Sequence, residues 1–479
     1  MTFPAAIDIN WLQLSPLMTL IATASIALLY NLGDRDTRGG AGITVTGLIL
    51  AGVFNYALMR ESEGGPITAF GGRLLADQLT TSLWFVIIVG AVLAILVAWN
   101  YIHNSEVGQP EYYPLLLLSA SGAMVMVAAG DLITLLLGLE IMSLAVYVLS
   151  AFRLGHGAPA RQSQEAGMKY FLLGAFASAV MIYGIALLYG ATGSFHYTGV
   201  HAAVTAPDFG LPVLAAVGGL LLLGGLAFKA AIFPLQQWAP DVYTGAPTPV
   251  TTFMSVVVKT AAFAALLRVG AGFLPEVSPA VIEVFSWLVG ATMVIGNFGA
   301  LAQQGIKRML AYSSVAHAGY LGLAVLAAST DGFRAASWYL MAYTLMTAGA
   351  FAVLALVSRR DDTGDTLSHF AGLGRRQPGL ALAMAIFMLS LAGIPPLAGF
   401  AGKLFVFSAA IGAGYVVLAV VGIVTSIVGV YYYFRVIKVM YFDQSSSEAL
   451  PGGIDVAGRL AIALAAVGTV VLGVFPAIW

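Results

Sequence analysis

The chain contains no cysteine. That absence excludes disulfides, thiolate metal sites and cysteine-ligated iron–sulfur clusters within it. Charge is also scarce: Asp, Glu, Lys and Arg make up 9% of 479 residues, against roughly 25% in ordinary globular proteins. A soluble protein of this length cannot cover its surface with so few charged groups. The net charge of −1, with no basic cluster, excludes a nucleic-acid partner. Neither a G-x-G-x-x-G nor a G-x-x-x-x-G-K-[ST] string occurs, so the familiar nucleotide cradles are missing. Any electrons must therefore run through another chain. The opening MTFPAAIDINWLQLSPLMTL lacks the basic n-region of a cleavable signal peptide, so the apolar run that follows is expected to remain as a first membrane span.

What is present is apolar. Residues of the hydrophobic set make up 60% of the chain and the mean hydropathy is +0.92. A bilayer core of about 30 Å needs about 20 residues of helix. By that measure fourteen spans are expected, at about 12–31, 41–59, 78–101, 113–129, 132–152, 166–190, 211–236, 247–270, 279–299, 306–328, 335–357, 379–410, 414–440 and 457–477. The expected fold is an all-α polytopic membrane protein with short loops, the longest polar connections being 60–76, 191–210 and 358–378. Fourteen Lys and Arg residues, among them Arg35, Arg153, Lys169, Lys307, Arg359 and Arg360, fall on the side reached after odd-numbered spans. Only Arg60, Arg73, Arg268 and Arg334 fall on the other. The positive-inside rule then puts the odd side in the cytoplasm and both termini in the periplasm.

Three cations remain, Lys229, Lys259 and Lys403, each deep in an apolar span. Glu140 stands alone in the same way within GDLITLLLGLEIMSLAVYVL. A lysine at mid-bilayer costs at least about 2.5–3.5 kcal/mol on insertion scales. Such groups must therefore pair or meet water. Burial disfavours the charged form of either type, which lets it exchange protons, and a carboxylate that approaches or withdraws makes the pair a switch. A packing ion pair between Glu140 and Lys229 is the plainer reading, but it leaves two lysines without anionic partners. Thr251, Thr252, Ser255 and Thr260 suggest a hydrated cavity around Lys259. Lys403 either serves the site or snorkels to an interface.

His317, near Tyr312, Ser313 and Ser314, is a candidate relay or a hydrogen-bonded packing residue. Lys169 is a snorkelling anchor or a guard at a proton entrance. Asp241 reads as a turn and cap residue, Asp131 as interfacial, and the tryptophans and tyrosines mostly as interface belts. Spans seven and twelve carry Pro234 and the pair Pro395–Pro396, so both are expected to break. Irregular backbone at membrane depth is tolerated only where protein or water satisfies it, and paired breaks point to an inverted repeat. Glu140 precedes Lys229 by 89 residues and His317 precedes Lys403 by 86, a loose echo of such a repeat.

GLEIMSL, LAFKAAIFPLQQWAPDVYTGAPTPVTTFMSVVVKTAAF, IKRMLAYSSVAHAGY and SLAGIPPLAGFAGKLF together resemble the antiporter-like subunits of proton-pumping NADH:quinone oxidoreductase, respiratory complex I. The resemblance runs from about residue 110 to 440. Lys403 in its G-K-L context and the string EAGMKYFLLGAFASA are similar to the subunit N (chain 2) branch. Absence of a long lateral helix after the last span sets the larger relative aside, and the full set of helices points to a bacterial inner membrane. The resemblance implies three N-terminal helices over 1–110 and a first half-channel repeat over 111–272. A second, inverted repeat over 277–441 and a C-terminal helix over 455–479 complete it, each repeat having five helices, with helices 7 and 12 broken.

It also implies that Glu140 and Lys229 are the ion pair, Lys259 the central lysine and Lys403 the exit-side lysine, with His317 on the hydrated axis. The implied activity is proton translocation driven by NADH oxidation and quinone reduction. FMN, iron–sulfur clusters, NADH and quinone would bind partner subunits, and this chain would hold no cofactor or metal. The implied partners are lipids, a neighbouring antiporter-like subunit and small membrane subunits. A subunit of a multisubunit Na⁺/H⁺ antiporter, a membrane-bound hydrogenase partner and a non-conducting scaffold remain as alternatives.

Overall fold

A computed structural model of the chain describes residues 8–33, 37–103, 109–327, 330–358, 365–444 and 455–478. Arg35, Arg359 and Arg360 of the charge count lie outside the described residues. The first helices are α1 (Trp11–Gly33) and α2 (Thr37–Ser62). A short antiparallel hairpin follows, β1 (Ile67–Ala69) pairing with β2 (Leu74–Ala76) so that Thr68 faces Leu75. Its turn uses Gly71 and Gly72 at φ 66° and 82°, a conformation open to glycine. The expected polar loop over 60–76 is therefore partly a hairpin.

Next come α3 (Gln78–His103), α4 (Tyr112–Ala128), α5 (Leu132–Ser150), α6 (Ala158–Thr192) and the short α7 (Tyr197–Val204). The first break lies between α8 (Pro212–Ala230) and α9 (Trp238–Gly245). Then α10 (Thr248–Phe253) runs through a π-helical turn, Met254–Val258, into α11 (Lys259–Gly272). Further on are α12 (Leu274–Val277), α13 (Pro279–Leu301), α14 (Ile306–Ala327), α15 (Thr330–Val357) and α16 (Leu373–Arg376). The second break separates α17 (Pro378–Ala392) from α18 (Ala398–Gly412), and α19 (Val416–Phe442) and α20 (Val456–Val474) close the sequence of elements.

Among the described residues twelve helices are long and apolar enough to cross a membrane. The expected fourth span is the shorter α4, and the expected twelfth is the pair α17 and α18. Both anticipated breaks occur where proline removes a helical donor. Helix α6, with 35 residues, begins well before its expected span.

The burial order is that of a protein dissolved in lipid. The apolar window of the stretch Thr248–Gly272 is wholly buried, those of α14 and α15 nearly so, while α1, α2, α6, α13, α19 and α20 bury about a third of theirs. Outward residues on these helices are large and apolar: Leu29, Phe176, Trp287, Val417 and Phe442 are between 71% and 79% exposed. Inside, small residues let helices approach. A Cβ added to Gly122 of α4 would stand 2.4 Å from the Met142 nitrogen of α5, and one on Gly138 2.5 Å from the Met126 nitrogen. Helix association in lipid rests on such close contacts.

One ion pair ties the ends of these helices. Asp77, preceding α3, accepts from Arg268 of α11 at 2.7 and 3.0 Å, from the Thr80 amide at 2.9 Å and from the Thr80 hydroxyl at 3.0 Å. Arg268 Nε also donates to the Val127 carbonyl at 2.7 Å, so α3, α4 and α11 meet at one guanidinium. Burial pushes the Asp77 carboxyl up, but Arg268 and the two Thr80 donors outweigh it and hold it below the usual range. A carboxyl held low stabilises the fold above its ordinary titration range, and that contribution is lost as pH falls through the depressed value. Asp77→Asn should cost roughly 2 kcal/mol at neutral pH, less than a fully buried pair because Asp77 keeps about a third of its surface. Thermal unfolding in detergent should show the gap between variant and parent narrowing as pH is lowered from 7 to 3; a constant gap would remove the charge from the explanation.

Candidate functional site

Lys229 occupies the last turn of α8. The helix stops there because Ala231 turns to φ 60° and Pro234 follows. The Phe228 carbonyl, freed by the break, accepts from Trp238 Nε1 at 2.9 Å. The ammonium thus lies at the negative end of a helix, but it makes no hydrogen bond to protein. It stands over two aromatic faces, 5.1 Å from the Tyr147 ring and 4.9 Å from that of Tyr170. The expected contact pair with Glu140 is not formed: Glu140 Oε1 is buried without a partner, and no Lys229–Glu140 contact within 4.0 Å occurs. Glu140 itself is only partly buried, beside the lipid-facing Leu137, Ile141 and Leu144 on α5.

Lys259 begins the helical turn after the π segment, on the most enclosed stretch of the protein. Such a turn displaces the ladder of backbone bonds and is frequent at functional sites. The ammonium donates to the Ser314 carbonyl of α14 at 2.5 Å and lies 5.5 Å from the Tyr343 ring of α15. The hydroxyls expected to wet this lysine point elsewhere. Thr251, Thr252, Ser255 and Thr260 donate to the backbone carbonyls of Tyr243, Thr248, Thr252 and Val256. Helical threonines and serines satisfy themselves this way when no stronger partner competes.

His317 lies on α14 between two phenols. Its Nδ1 is 2.5 Å from the Tyr339 hydroxyl and its Nε2 is 3.2 Å from that of Tyr433, which also bonds Ser313. A neutral imidazole has one donor and one acceptor nitrogen, so it can receive a proton on one side and release one on the other. The ring is thus bonded at both nitrogens.

Lys403 lies on α18, across the second break. Its ammonium donates to the Leu391 and Ala392 carbonyls at the end of α17, both at 3.0 Å, and to Ser426 Oγ at 2.7 Å. All three N–H bonds are thereby satisfied inside the protein, so Lys403 does not snorkel. It lies 5.3 Å from the Tyr320 ring, whose hydroxyl accepts from Asn297 at 2.9 Å, and Tyr432 donates to the same Asn297 at 3.1 Å.

These contacts form one line. From Lys259 it is 5.5 Å to the Tyr343 ring, 5.2 Å on to His317, 5.5 Å to Tyr320 and 5.3 Å to Lys403. From Lys229, stacked and edge-on aromatics lead as far as Tyr243, Tyr170 against Trp238 at 4.4 Å and Trp238 against Tyr243 at 6.0 Å. Lys169 is apart from it. That exposed residue bonds Glu165 at 2.7 Å and Asp241 at 3.2 Å, and Asp241 also meets Arg308 at 3.0 Å. Asp241 sits in the first turn of α9, as a capping acid would, and Asp131 caps α5 by accepting from the Thr134 amide.

The tyrosines are the main correction. Nine of them, including Tyr170, Tyr320, Tyr339, Tyr343 and Tyr433, are wholly buried and not interfacial. The rings of Tyr170, Tyr320, Tyr339 and Tyr343 face lysines or the histidine, contacts that a polar-tipped ring makes better than leucine. One signal was available: Tyr339 and Tyr343 are four residues apart, as are Ser313 and His317, hence each pair shares a helix face.

Residues 129–429 match the family described as NADH:quinone oxidoreductase/Mrp antiporter, TM. The chain is 40% identical to NADH-quinone oxidoreductase subunit N 1 of Herpetosiphon aurantiacus, over 98% of this chain and 96% of that one. It is 43% identical to NADH-quinone oxidoreductase subunit N of Deinococcus radiodurans, over 98% and 95%. Among solved structures it is similar to a chain of respiratory complex I from Thermus thermophilus with bound aureothin, at 37% identity and a TM-score of 0.80, over 97% of this chain and 98% of that one.

The second break makes a local test. Gly393 ends α17 at φ 86°, and an added Cβ would lie 3.0 Å from Lys403 Cδ and 3.1 Å from Nζ. Gly393→Ala should cost about 1–2 kcal/mol from left-handed backbone alone, and a Tm of the detergent-solubilised protein equal to the parent's would contradict this account of the break.

Proposed function

The chain belongs to the NADH-quinone oxidoreductase subunit N family, and on that premise we propose that it is a proton-translocating subunit of the membrane arm of a bacterial respiratory complex I. The observation that carries this reading is the succession of ring-face contacts, each 5.2–5.5 Å, that leads from Lys259 past Tyr343, His317 and Tyr320 to Lys403 in the protein interior. Protons enter from the cytoplasmic side, with Lys169 at the entrance, and charge Lys229 or Lys259. They pass along the axis through His317 and leave near Lys403. Each transfer breaks one N–H or O–H bond at the donor and forms one at the acceptor, so net charge moves while the side chains return to their starting state. Moving the Glu140 carboxylate towards or away from Lys229 retains or releases that lysine's proton.

In this reading fourteen crossings are arranged as two inverted five-helix repeats, with both termini in the periplasm. Movement against the membrane potential costs about 2.3 kcal/mol per charge per 100 mV. Quinone reduction on other subunits supplies that energy, and NADH, FMN and the iron–sulfur clusters are theirs. The neighbours are other membrane-arm subunits, an antiporter-like one and small ones among them.

The test is Lys229→Ala in the assembled complex, measured as NADH-driven quinone reduction and as proton uptake into vesicles. Proton uptake is expected to fall at least about tenfold, with quinone reduction falling alongside it; wild-type levels of both would reduce the buried charge to a packing device and favour the scaffold. Because the matched family also spans Mrp antiporters, the same vesicles should be assayed with and without Na⁺. Independence of Na⁺ is expected, and a strict requirement would transfer the chain to the antiporter reading.

A further inference from the structure

We propose that Tyr147 and Tyr170 are positioning residues that form an aromatic cradle for the Lys229 ammonium, giving it a second resting place besides Glu140. The inference rests on the proton-path reading above and deepens it. A switch between a lysine and a carboxylate needs somewhere for the ammonium to go when the two separate, because a bare charge cannot be left in an apolar interior. The structure holds the lysine in such a place: 5.1 and 4.9 Å above two rings, and out of ion-pair range of Glu140. Cations are attracted to aromatic faces at this range, most strongly when desolvated.

The cradle is built stiffly. Tyr170 stacks on Trp238 with centroids 4.4 Å apart and planes 8° from parallel, and meets Tyr147 edge-on at 4.8 Å. Trp238 is in turn fixed by its bond to the Phe228 carbonyl, one residue before Lys229. Rings and ammonium are therefore referred to the same helix end. Glu140 and Tyr147 are seven residues apart on α5, two turns along one face, about 10 Å. Rotation of the four-carbon lysine stem sweeps between two stations on that face: carboxylate at one, ring at the other. The side-chain hydroxyl between them, Ser143, donates to the Leu139 carbonyl and so presents no competing donor. Three buried polar atoms at the lysine make no hydrogen bond to protein: Glu140 Oε1, the Tyr170 hydroxyl and Lys229 Nζ itself. Groups in that condition call for water, which gives the ammonium a means of losing its proton at the cradle station.

The test separates ring from volume in the whole complex, with assembly checked by co-purification. Tyr147→Leu and Tyr170→Leu should each lower NADH-driven proton uptake about three- to tenfold. Tyr147→Phe and Tyr170→Phe, which keep the face, should recover most of it. Where a leucine variant does not assemble, methionine at the same position takes its place, filling the volume without a ring. Leucine or methionine variants that pump as the parent does, or phenylalanine variants that fall as far as leucine, overturn the cradle. If Lys229→Ala has itself lost proton uptake, only the cradle is then withdrawn; if Lys229→Ala pumps normally, the proton path goes with it.

Discussion

Placing an ammonium inside a membrane protein without a carboxylate against it is the constraint from which most of the architecture follows. Each lysine at bilayer depth costs at least about 2.5–3.5 kcal/mol, and a hydrogen bond to a charged group returns roughly 1.5–3 kcal/mol. One bond barely offsets the cost, so partners must be concentrated. Unbroken helices offer few, since their carbonyls are already engaged; Lys259 shares one of these, that of Ser314 in α14. Breaking a helix releases carbonyls at one depth, and Lys403 takes two of them, from Leu391 and Ala392. Freed backbone cannot face lipid, which requires that the broken elements pack against the enclosed α14 and α15 and that α1, α2 and α20 supply the apolar exterior.

Close packing around the breaks is enforced by residues without side chains. Gly399, in the first turn of α18, lies against the Ser390 carbonyl so tightly that any Cβ would collide with it. Its amide also donates to Ser390 Oγ at 3.0 Å. The same serine thus bridges both halves of the interrupted helix. On the other side of the axis, Gly296 and Gly319 bring α13 and α14 together, and Gly422 admits the edge of Phe407. These contacts hold Asn297, Tyr320 and Lys403 at their spacings. The polar line is a product of backbone proximity as much as of the side chains that compose it.

The spans, the breaks and the three lysines could be read from sequence because each depends on local composition: a long apolar run, a proline, a charge where none is tolerated. What could not be read depends on azimuth. Helices such as α15 and α19 carry apolar residues on every face, so no amphipathic stripe says which face is inward. Tyr339, Tyr343 and Tyr433 consequently looked like any other membrane tyrosines, though they line the axis. Conversely Thr251, Thr252, Ser255 and Thr260 looked like a wet cluster beside Lys259, because sequence proximity does not reveal that each hydroxyl turns to a backbone carbonyl instead. The hairpin at Ile67–Ala76 and the pairing of Asp77 with Arg268, 191 residues apart, were hidden for the same reason: both are settled by what the helices bring together.

Lys229 and Lys403 differ in register with respect to their prolines, the first preceding its break and the second following it. Sequence spacing alone makes the two look unrelated. Their electrostatic situation is nevertheless the same, since each ammonium lies at the carboxyl end of a helical segment that stops short, α8 in one case and α17 in the other. A helix end carries about half a negative charge, and a lysine can reach it from the segment's own last turn or from the segment across the gap. The two arrangements differ in what completes the shell. Lys403 saturates its donors with carbonyls and Ser426, which pins it. Lys229 has only π faces and a withdrawn carboxylate, which leaves it able to move. The difference between the two sites lies in side chains at Tyr147, Tyr170 and Ser426 rather than in the lysines themselves.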